Sequence, residues 1–448
     1  MSSFVTLPTR LAAQWGTSAT PAESLHVNIA VSGVTDPGGT KCKINQDTFF
    51  THCDAANGAM VIGVFDGHGK EAGRDAAFAA RDYFKAHFQS MTQQDYQQME
   101  QRPQQAFSSM FNGCHSAMKS VLKAVYERRG FTVQEQDGYM VKLPTGVEAT
   151  QQQQLYSCVR GGTTATIVVV LDGGRKILTA NVGDSAVAIG AKRAVCIKQS
   201  DLLELHDDVT GPEATDQSHT TVAKLKTSKT SVDPKGELTQ KHTGDYLKNV
   251  RDEWATLVAT PADSPFPDSL AFTRSLGDFH MHTYGVSCEP NVRELSLEQI
   301  AQRVLLHGSS RGNQDEEDDD EEIAASASNT ESDDNNSETS MHDCHSHGGA
   351  LEFILVAASD GVWDNWKFHD LFEFLDNSDA KRTRARSTSS STSTKSDAAG
   401  GNDEAAEAYP VDNAVAMLLK ANLKLAQRVF GDDADNMTAV LCHFRVSS

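Results

Sequence analysis

Seven short apolar runs set the strongest limit on how this chain of 448 residues can fold. The runs are rich in Val, Ile and Thr and only a few residues long, which favours β-strands over buried helices. In chain order they are LHVNIAVSG, AMVIGVF, TATIVVVL, KILTANVG, AVAIG, LEFILVAAS and NMTAVLCHF. The third and fourth are joined by LDGGRK, whose Asp172, Gly173 and Gly174 are typical of a β-hairpin turn.

Three longer segments have the spacing of amphipathic helices, and they lie at 71–88, 104–129 and 411–430. The predicted helices are grouped apart from the hairpin-connected strands instead of alternating with them. This order predicts an α+β fold in which helical layers cover antiparallel sheet.

Three polar segments are predicted to be insertions, at about 201–268, 308–349 and 377–409. Between His307 and Gly349 there are thirteen acidic residues and one basic residue, so this stretch carries −12 of the formal charge of −21. The second and third insertions have few large apolar side chains and cannot offset the entropy of ordering, so we expect them to be disordered. The apolar runs on either side of each insertion need one another, which predicts one interrupted domain spanning about 24–446.

Composition and charge disfavour several classes of protein. A net charge of −21 gives no electrostatic basis for general nucleic-acid binding, and no run of eighteen apolar residues suggests a membrane partner. The eight cysteines form no C-x-x-C pair and the first residues lack a signal-peptide core, so we predict a reduced, cytoplasmic protein. The basic patch AKRTRARS leaves a nuclear location open. The acidic run DEEDDDEE could dock a basic partner, although charge runs are usually only solvated.

Six aspartates bracket the predicted strands: Asp47, Asp66, Asp184, Asp360, Asp364 and Asp435. A single aspartate at a strand end is usually a turn residue or a helix cap. If the strands belong to one sandwich, however, their ends can converge, and two carboxylates about 5 Å apart repel by roughly 3 kcal/mol at an effective dielectric near 20. A cation would relieve that repulsion, and oxygen ligands suit Mg²⁺ or Mn²⁺. Zinc would need His or Cys ligands at definite spacing, which the sequence does not show.

The stretch FDGHG follows the apolar run AMVIGVF directly. In a metal site, Asp66 could bridge two ions, Gly67 would let its own carbonyl approach one of them, and His68 could donate a proton. The alternative interpretation is a glycine-rich turn with a capping aspartate.

Eight motifs together resemble those of the type-2C, metal-dependent protein serine/threonine phosphatases, in the order found in that family. They span Asn45 to Leu441 and are NQD, FDGHG, GGTTATIVVV, TANVGDSAVAIG, LAFTRSLGDF, YGVSCEPNV, LVAASDGVWDNW and DNMTAVL. The resemblance implies a four-layer α-β-β-α sandwich of two antiparallel sheets flanked by helices. It also implies hydrolysis of phosphoserine and phosphothreonine in phosphoprotein substrates.

The resemblance implies a role for each matched residue. Asp66 would bridge two Mn²⁺ or Mg²⁺ ions, one of them also bound by the Gly67 carbonyl and the other held by Asp360 and Asp435. Asp184 and Asp364 match positions that bind a weaker third ion in some members of the family. Asp47 would act through metal-bound water with Asn436 behind it, a metal-bound hydroxide would attack phosphorus, and His68 would protonate the leaving oxygen as general acid.

The sequence also departs from the family pattern. Cys42 replaces the usual phosphate-gripping Arg, so that Lys41 or Lys43 would have to bind substrate phosphate as a point charge. Gln46 stands where many members have Glu, and Asp278 is interpreted as structural. Two alternatives therefore stay open: a catalytically impaired phosphatase-like binding module, and a metal-dependent hydrolase of small phosphoesters. The run MHDCHSH could bind a soft metal, but its position in the acidic insertion favours an incidental cluster.

Overall fold

The computed structural model describes residues 11–15, 25–39, 44–146, 156–192, 202–204, 230–232, 238–240, 258–297, 300, 351–377 and 410–447. The predicted insertion at 308–349 lies wholly outside the described residues, as do most of those at 201–268 and 377–409. The disorder predicted for 308–349 and 377–409 stays a prediction, and so does the single interrupted domain.

The strands are short and numerous. The first ten are β1 (Leu11–Trp15), β2 (Leu25–Asp36), β3 (Thr48–Asp54), β4 (Ala59–Phe65), β5 (Gly67–His68), β6 (Phe131–Gln136), β7 (Tyr139–Pro144), β8 (Ser157–Cys158), β9 (Gly162–Thr163) and β10 (Ala165–Leu171). The others are β11 (Lys176–Val182), β12 (Ala186–Lys192), β13 (Leu202–Glu204), β14 (Thr230–Val232), β15 (Leu238–Gln240), β16 (Val258–Ala259), β17 (Ser269–Leu270), β18 (Leu276–Gly277), β19 (Asn291–Ser296), β20 (Leu351–Ala358) and β21 (Met437–Ser447).

Two antiparallel sheets dominate the described part of the chain. The first has the order β1-β2-β21-β20-β12-β13 and the second the order β19-β11-β10-β4-β3. Three smaller sheets have the orders β18-β9-β5, β6-β7-β8 and β15-β14-β16-β17. The predicted hairpin is confirmed, because β10 pairs with β11 across a 3₁₀ turn at Asp172–Gly174.

The three helices predicted from periodicity are present, together with four helical segments that were not predicted. They are α1 (Gly73–Ser90), α2 (Gln93–Gln101), α3 (Pro103–Arg128), α4 (Phe279–His282), α5 (Asp360–Trp363) and α6 (Val411–Phe430), and residues 368–377 are also helical. The short helix α2 was not predicted, and it begins with a capping box between Thr92 and Asp95. None of the described helices is both long and apolar enough to cross a membrane.

Apolar packing arranges these elements in four layers, which confirms the predicted α+β sandwich. Strand β4 shows the principle, because all of its seven residues are buried and successive side chains point to opposite faces. Met60, Ile62 and Val64 pack between the two sheets with residues of β2, β10, β20 and β21. Val61 and Phe65 pack on the other face, against α1 and α3. The outer face of the first sheet is covered by α5, residues 368–377 and α6.

Candidate metal centre

Three of the predicted aspartates meet at one end of the sandwich. Asp66 follows β4, Asp184 lies in the turn between β11 and β12, and Asp360 begins α5 directly after β20. One carboxylate oxygen from each lies within 4.8 Å of the other two. We call Asp66, Asp184 and Asp360 the carboxylate cluster. It draws on strands of both sheets, so the convergence predicted from the strand ends is present.

The backbone around Asp66 is fixed by two neighbouring threonines. Its N–H donates to Thr164 Oγ1 at 3.0 Å, and its carbonyl accepts from the Thr164 N–H at 2.8 Å and from Thr163 Oγ1 at 2.9 Å. Burial raises the pKa of the Asp66 carboxyl well above its usual value, and the charges of Asp47 and Asp360 raise it further. The cluster therefore concentrates negative charge that a cation would compensate.

Asp47 is almost completely buried beside this cluster, with 2% of its surface exposed. Its Oδ2 accepts a hydrogen bond from Ser359 Oγ at 2.7 Å, whereas its Oδ1 has no hydrogen-bond partner among the described residues. Burial, together with the charges of Asp360 and Asp435, raises the pKa of Asp47 to about 7 against the effect of the Ser359 hydrogen bond. A buried carboxylate oxygen without a hydrogen-bond partner lowers the stability of the fold unless a ligand or ion binds to it.

Gln46 and Asn436 hold the chain that leads into Asp47. The Gln46 N–H donates to Asn436 Oδ1 at 2.8 Å, and Asn436 Nδ2 donates to the Pro37 carbonyl at 2.8 Å. With its side-chain nitrogen facing the FDGHG turn, Gln46 donates to the carbonyls of Gly67 and Gly69 at 3.0 and 3.2 Å. A Cβ on Gly67 would collide with the backbone oxygens of Gly73 and Gln46, so only glycine fits there. The Gly67 carbonyl oxygen has a second lone pair and can accept one more partner besides Gln46.

His68 is paired with a carboxylate that sequence reasoning did not connect to it. Its Nε2 lies 2.5 Å from Asp278 Oδ2, while its buried Nδ1 has no hydrogen-bond partner among the described residues. Burial works to lower the pKa of His68, but the charge and hydrogen bond of Asp278 outweigh it and the net pKa is raised. Asp278 adopts a left-handed backbone (φ 41°), and its carboxylate occupies the space that a Cβ on Gly162 would need.

The remaining predicted residues have different positions. Asp435 is exposed and precedes β21, and it is close enough to act on the pKa of Asp47. Asp364 is half-buried, and its N–H donates to the Asp360 carbonyl at 2.7 Å, one turn further along the chain. Neither residue belongs to the carboxylate cluster as defined by the 4.8 Å limit.

Lys41 and Lys43 lie outside the described residues, so phosphate binding by either stays a prediction.

No protein-family model matches the chain, and neither does any curated protein. Some solved structures are similar to it. A serine-threonine phosphatase 2C from Toxoplasma gondii is 15% identical, covers 98% of this chain and 100% of its own, and has a TM-score of 0.46. An S. agalactiae serine/threonine phosphatase is 16% identical, covers 92% of this chain and 98% of its own, and has a TM-score of 0.40.

A third similar structure is the catalytic domain of the serine threonine protein phosphatase PstP in complex with two manganese ions. It is 12% identical, covers 94% of this chain and 100% of its own, and has a TM-score of 0.39. At 12–16% identity and TM-scores below 0.5, these likenesses do not decide the activity of this chain. The activity depends on the residues of the site.

Three residues of the site were not anticipated in their present contacts: Asp278, Ser359 and Gln46. Ser359 precedes Asp360 in the run LVAASDGVWDNW, and only the fold brings its hydroxyl to Asp47, 312 positions away. Asp278 is 210 positions from His68 and carries no local signal of that pairing. The interpretation of Asp278 as structural thus omitted its contact with the imidazole of His68.

Proposed function

We propose that the chain is a metal-dependent phosphoprotein phosphatase that hydrolyses phosphoserine and phosphothreonine. One observation carries the proposal. The carboxylate oxygens of the cluster lie within 4.8 Å of one another at the sandwich end, beside an imidazole that is paired with Asp278. Metal-assisted hydrolysis of a phosphoester requires a site for a hard cation and a nearby group that can donate a proton, and an imidazole can be that group.

The residues present fit Mg²⁺ or Mn²⁺. The donors are carboxylate and carbonyl oxygens, which these ions prefer, and the raised pKa values of Asp66 and Asp47 reflect charge and burial that a cation would offset. We assign Asp66, Gly67, Asp360 and Asp435 to two ions, and Asp184 and Asp364 to a weaker third. When bound, the ions supply an activated water at neutral pH and neutralise charge that develops on the phosphoryl group.

In this proposal, Asp47 orients the attacking water and Asn436 supports Asp47. Asp47 Oδ1 has no partner among the described residues, so it can accept a hydrogen bond from the attacking water and orient it. Asn436 accepts from the backbone N–H of Gln46 and so fixes the position from which Asp47 extends. The attack is in line, and no phosphoenzyme forms.

His68 supplies the proton for the departing serine or threonine oxygen. Its Nε2 is held by Asp278, which leaves Nδ1 as the nitrogen that can give a proton to the leaving group when the P–O bond breaks. The carboxylate of Asp278 favours the protonated imidazole, the form that a general acid needs. The ring of Phe272 packs against the imidazole in an edge-to-face arrangement, with 5.1 Å between the ring centroids.

A direct test is phosphate release from a phosphothreonine peptide with Mn²⁺ and with EDTA. Asp66→Asn should lower the Mn²⁺-dependent rate by roughly 10³-fold, because it removes one charge from the centre of the site. Asp137→Asn is the matched control, since Asp137 lies in the exposed turn between β6 and β7. Activity that is insensitive to EDTA would contradict the proposal.

The same assay separates the rival functions. A small monoester and a diester, assayed in parallel, would be preferred substrates if the chain were a small-phosphoester hydrolase. Absence of activity on every substrate, with the protein folded, would favour the binding module. Cys42, in place of the family's Arg, is the observation that supports that second reading, and Cys42→Arg would be the next variant.

A further inference from the structure

A second group of metal-ligating side chains lies near Asp278, whose charge acts on two of its members. His115 extends from α3, His282 ends α4, and Cys288 follows in the next loop. One ligand atom from each lies within 4.8 Å of the other two, and all three residues are half-buried. We call His115, His282 and Cys288 the imidazole–thiol cluster. His115 is more than 160 positions from His282 and Cys288, so no short sequence motif contains all three residues.

The donor set differs in kind from that of the carboxylate cluster. Two imidazole nitrogens and one thiolate suit Zn²⁺, which commonly binds three protein ligands and a fourth water or protein atom. In tetrahedral zinc the ligand atoms lie about 3.3–3.6 Å apart, given bond lengths near 2.0–2.3 Å. The three ligand atoms lie within 4.8 Å of one another, so a small movement of the side chains would bring them to these distances.

The hydrogen bond of His282 leaves one of its ring nitrogens available to a metal. Its Nε2 lies 3.2 Å from the Ser275 carbonyl oxygen, and a carbonyl can only accept, so Nε2 carries the hydrogen and Nδ1 the lone pair. An imidazole that donates its second N–H to a backbone carbonyl is the usual outer arrangement around zinc. Burial lowers the pKa of His282 to about 3 and that of His115 to about 4, so both rings are neutral near pH 7.

The contacts that a metal would replace are weak. His115 Nδ1 accepts from the Gly277 N–H at 3.3 Å, and the Cys288 thiol donates to Asn112 Oδ1 at 3.2 Å. Burial raises the pKa of Cys288, so metal binding must displace the thiol proton. The alternative explanation is plain ring packing, since His115 lies 4.2 Å from His282 and 4.7 Å from Phe279 between ring centroids. Ring packing alone, however, does not require a thiol at the same point.

We infer that His115, His282 and Cys288 form a binding site for one zinc-like ion, separate from the carboxylate cluster. The bound ion links α3 to the segment 275–288, which also carries Asp278. The ion would therefore stabilise the position of the segment whose Asp278 contacts His68. The inference does not depend on whether the carboxylate cluster hydrolyses phosphoesters.

Cobalt spectroscopy of the full chain tests this site without an activity assay. Metal-free protein titrated with Co²⁺ should develop a thiolate-to-cobalt charge-transfer band in the ultraviolet and the intense visible bands of tetrahedral cobalt. Carboxylate ligands give neither signal. Cys288→Ser should abolish the ultraviolet band, and His282→Gln should weaken binding about 10-fold or more while the band persists at saturation.

Cys344→Ser is the matched control, because Cys344 lies with three histidines in MHDCHSH, which could bind cobalt on its own. The inference is contradicted if wild-type protein gives no charge-transfer band, or if Cys344→Ser and not Cys288→Ser removes it. Far-ultraviolet circular dichroism establishes that each variant is folded. If Cys288→Ser is unfolded, His282→Gln decides alone, and unchanged cobalt affinity in that variant overturns the inference.

Discussion

The imidazoles near Asp278 have pKa values shifted in opposite directions. His68 touches the Asp278 carboxylate at 2.5 Å, and its pKa is raised although burial works against the charged form. His115 and His282 also feel the charge of Asp278, but without such a contact, and burial lowers the pKa of His115 to about 4 and of His282 to about 3. The direct hydrogen bond to Asp278 is thus one difference between the proposed proton donor and the two proposed metal ligands.

The two clusters differ in the same way. The carboxylate cluster accumulates negative charge at the sandwich end, and burial and mutual repulsion raise the pKa of Asp66. The imidazole–thiol cluster is neutral and offers nitrogen and sulfur. We therefore expect the first to select hard divalent cations and the second to select softer ones. The difference lies in ligand chemistry and not in burial, since both are at least half-buried.

Among changes around Asp278, the largest effect is expected from removing the imidazole of His68, which is hydrogen-bonded to Asp278. His68→Asn should lower the hydrolysis rate of a phosphothreonine peptide by about 10²–10³-fold, because the alkoxide leaving group then lacks a proton donor. The loss on p-nitrophenyl phosphate should be much smaller, since p-nitrophenolate departs without protonation. His87→Asn, on the exposed side of α1, is the control. Equal losses on the two substrates would rule out the general-acid role.

The contact between Asp278 and His68 can be tested through the pH–rate profile. Asp278→Asn keeps the shape of the side chain but removes the charge that raises the pKa of His68. A general acid loses activity as the pH rises through its pKa, so the basic limb of kcat/KM should move to lower pH in the variant. A lower rate with an unmoved basic limb would mean that Asp278 acts only as a structural residue.

Asp47, which is buried beside the carboxylate cluster, predicts an unusual pH dependence of stability in the metal-free protein. The pKa of Asp47 is about 7 in the folded protein and near 3.8 when unfolded, so the folded state binds more protons and the free energy of unfolding falls as pH rises between these values. Asp47→Asn should remove this loss and be more stable than wild type by on the order of 2 kcal/mol at pH 8. Urea unfolding in EDTA at pH 5 and pH 8 measures it. An unchanged pH dependence in Asp47→Asn would contradict the prediction.

The imidazole–thiol cluster predicts a smaller effect of opposite sign. The pKa of His282 is about 3 in the folded protein and near 6.5 when unfolded, so its contribution to stability is lost as pH falls below about 6.5. Between pH 7 and pH 5 in EDTA, His282→Gln should lose about 1 kcal/mol less unfolding free energy than wild type, after allowance for solvent screening. Equal losses in the two proteins would show that His282 is not held neutral.

Much of the fold follows from local patterns. The apolar runs predict the strands because burial of both faces, as in β4, demands continuous apolar residues, and 411–430 coincides with α6 because one face of that helix is buried. The convergence of Asp66, Asp184 and Asp360 was predictable because strand ends of one sandwich share an edge.

The contacts that were not predicted all depend on tertiary structure. The pairing of His68 with Asp278, and the meeting of His115 with Cys288, join segments whose separation in sequence has no characteristic spacing. The sequence pattern directed attention instead to MHDCHSH, where histidines and a cysteine are adjacent, and this run lies outside the described residues. Ligand sets assembled by packing leave no local signal.

Counting bound Mn²⁺ tests the central claim most directly. Equilibrium titration followed by electron paramagnetic resonance of free Mn²⁺ should give at least two sites in wild-type protein and in Asp137→Asn. Asp360→Asn should lose at least one of these sites, or bind it much more weakly, because its carboxylate is part of the cluster. The same number of sites and the same affinities in Asp360→Asn and wild type would contradict a metal centre at the end of this sandwich.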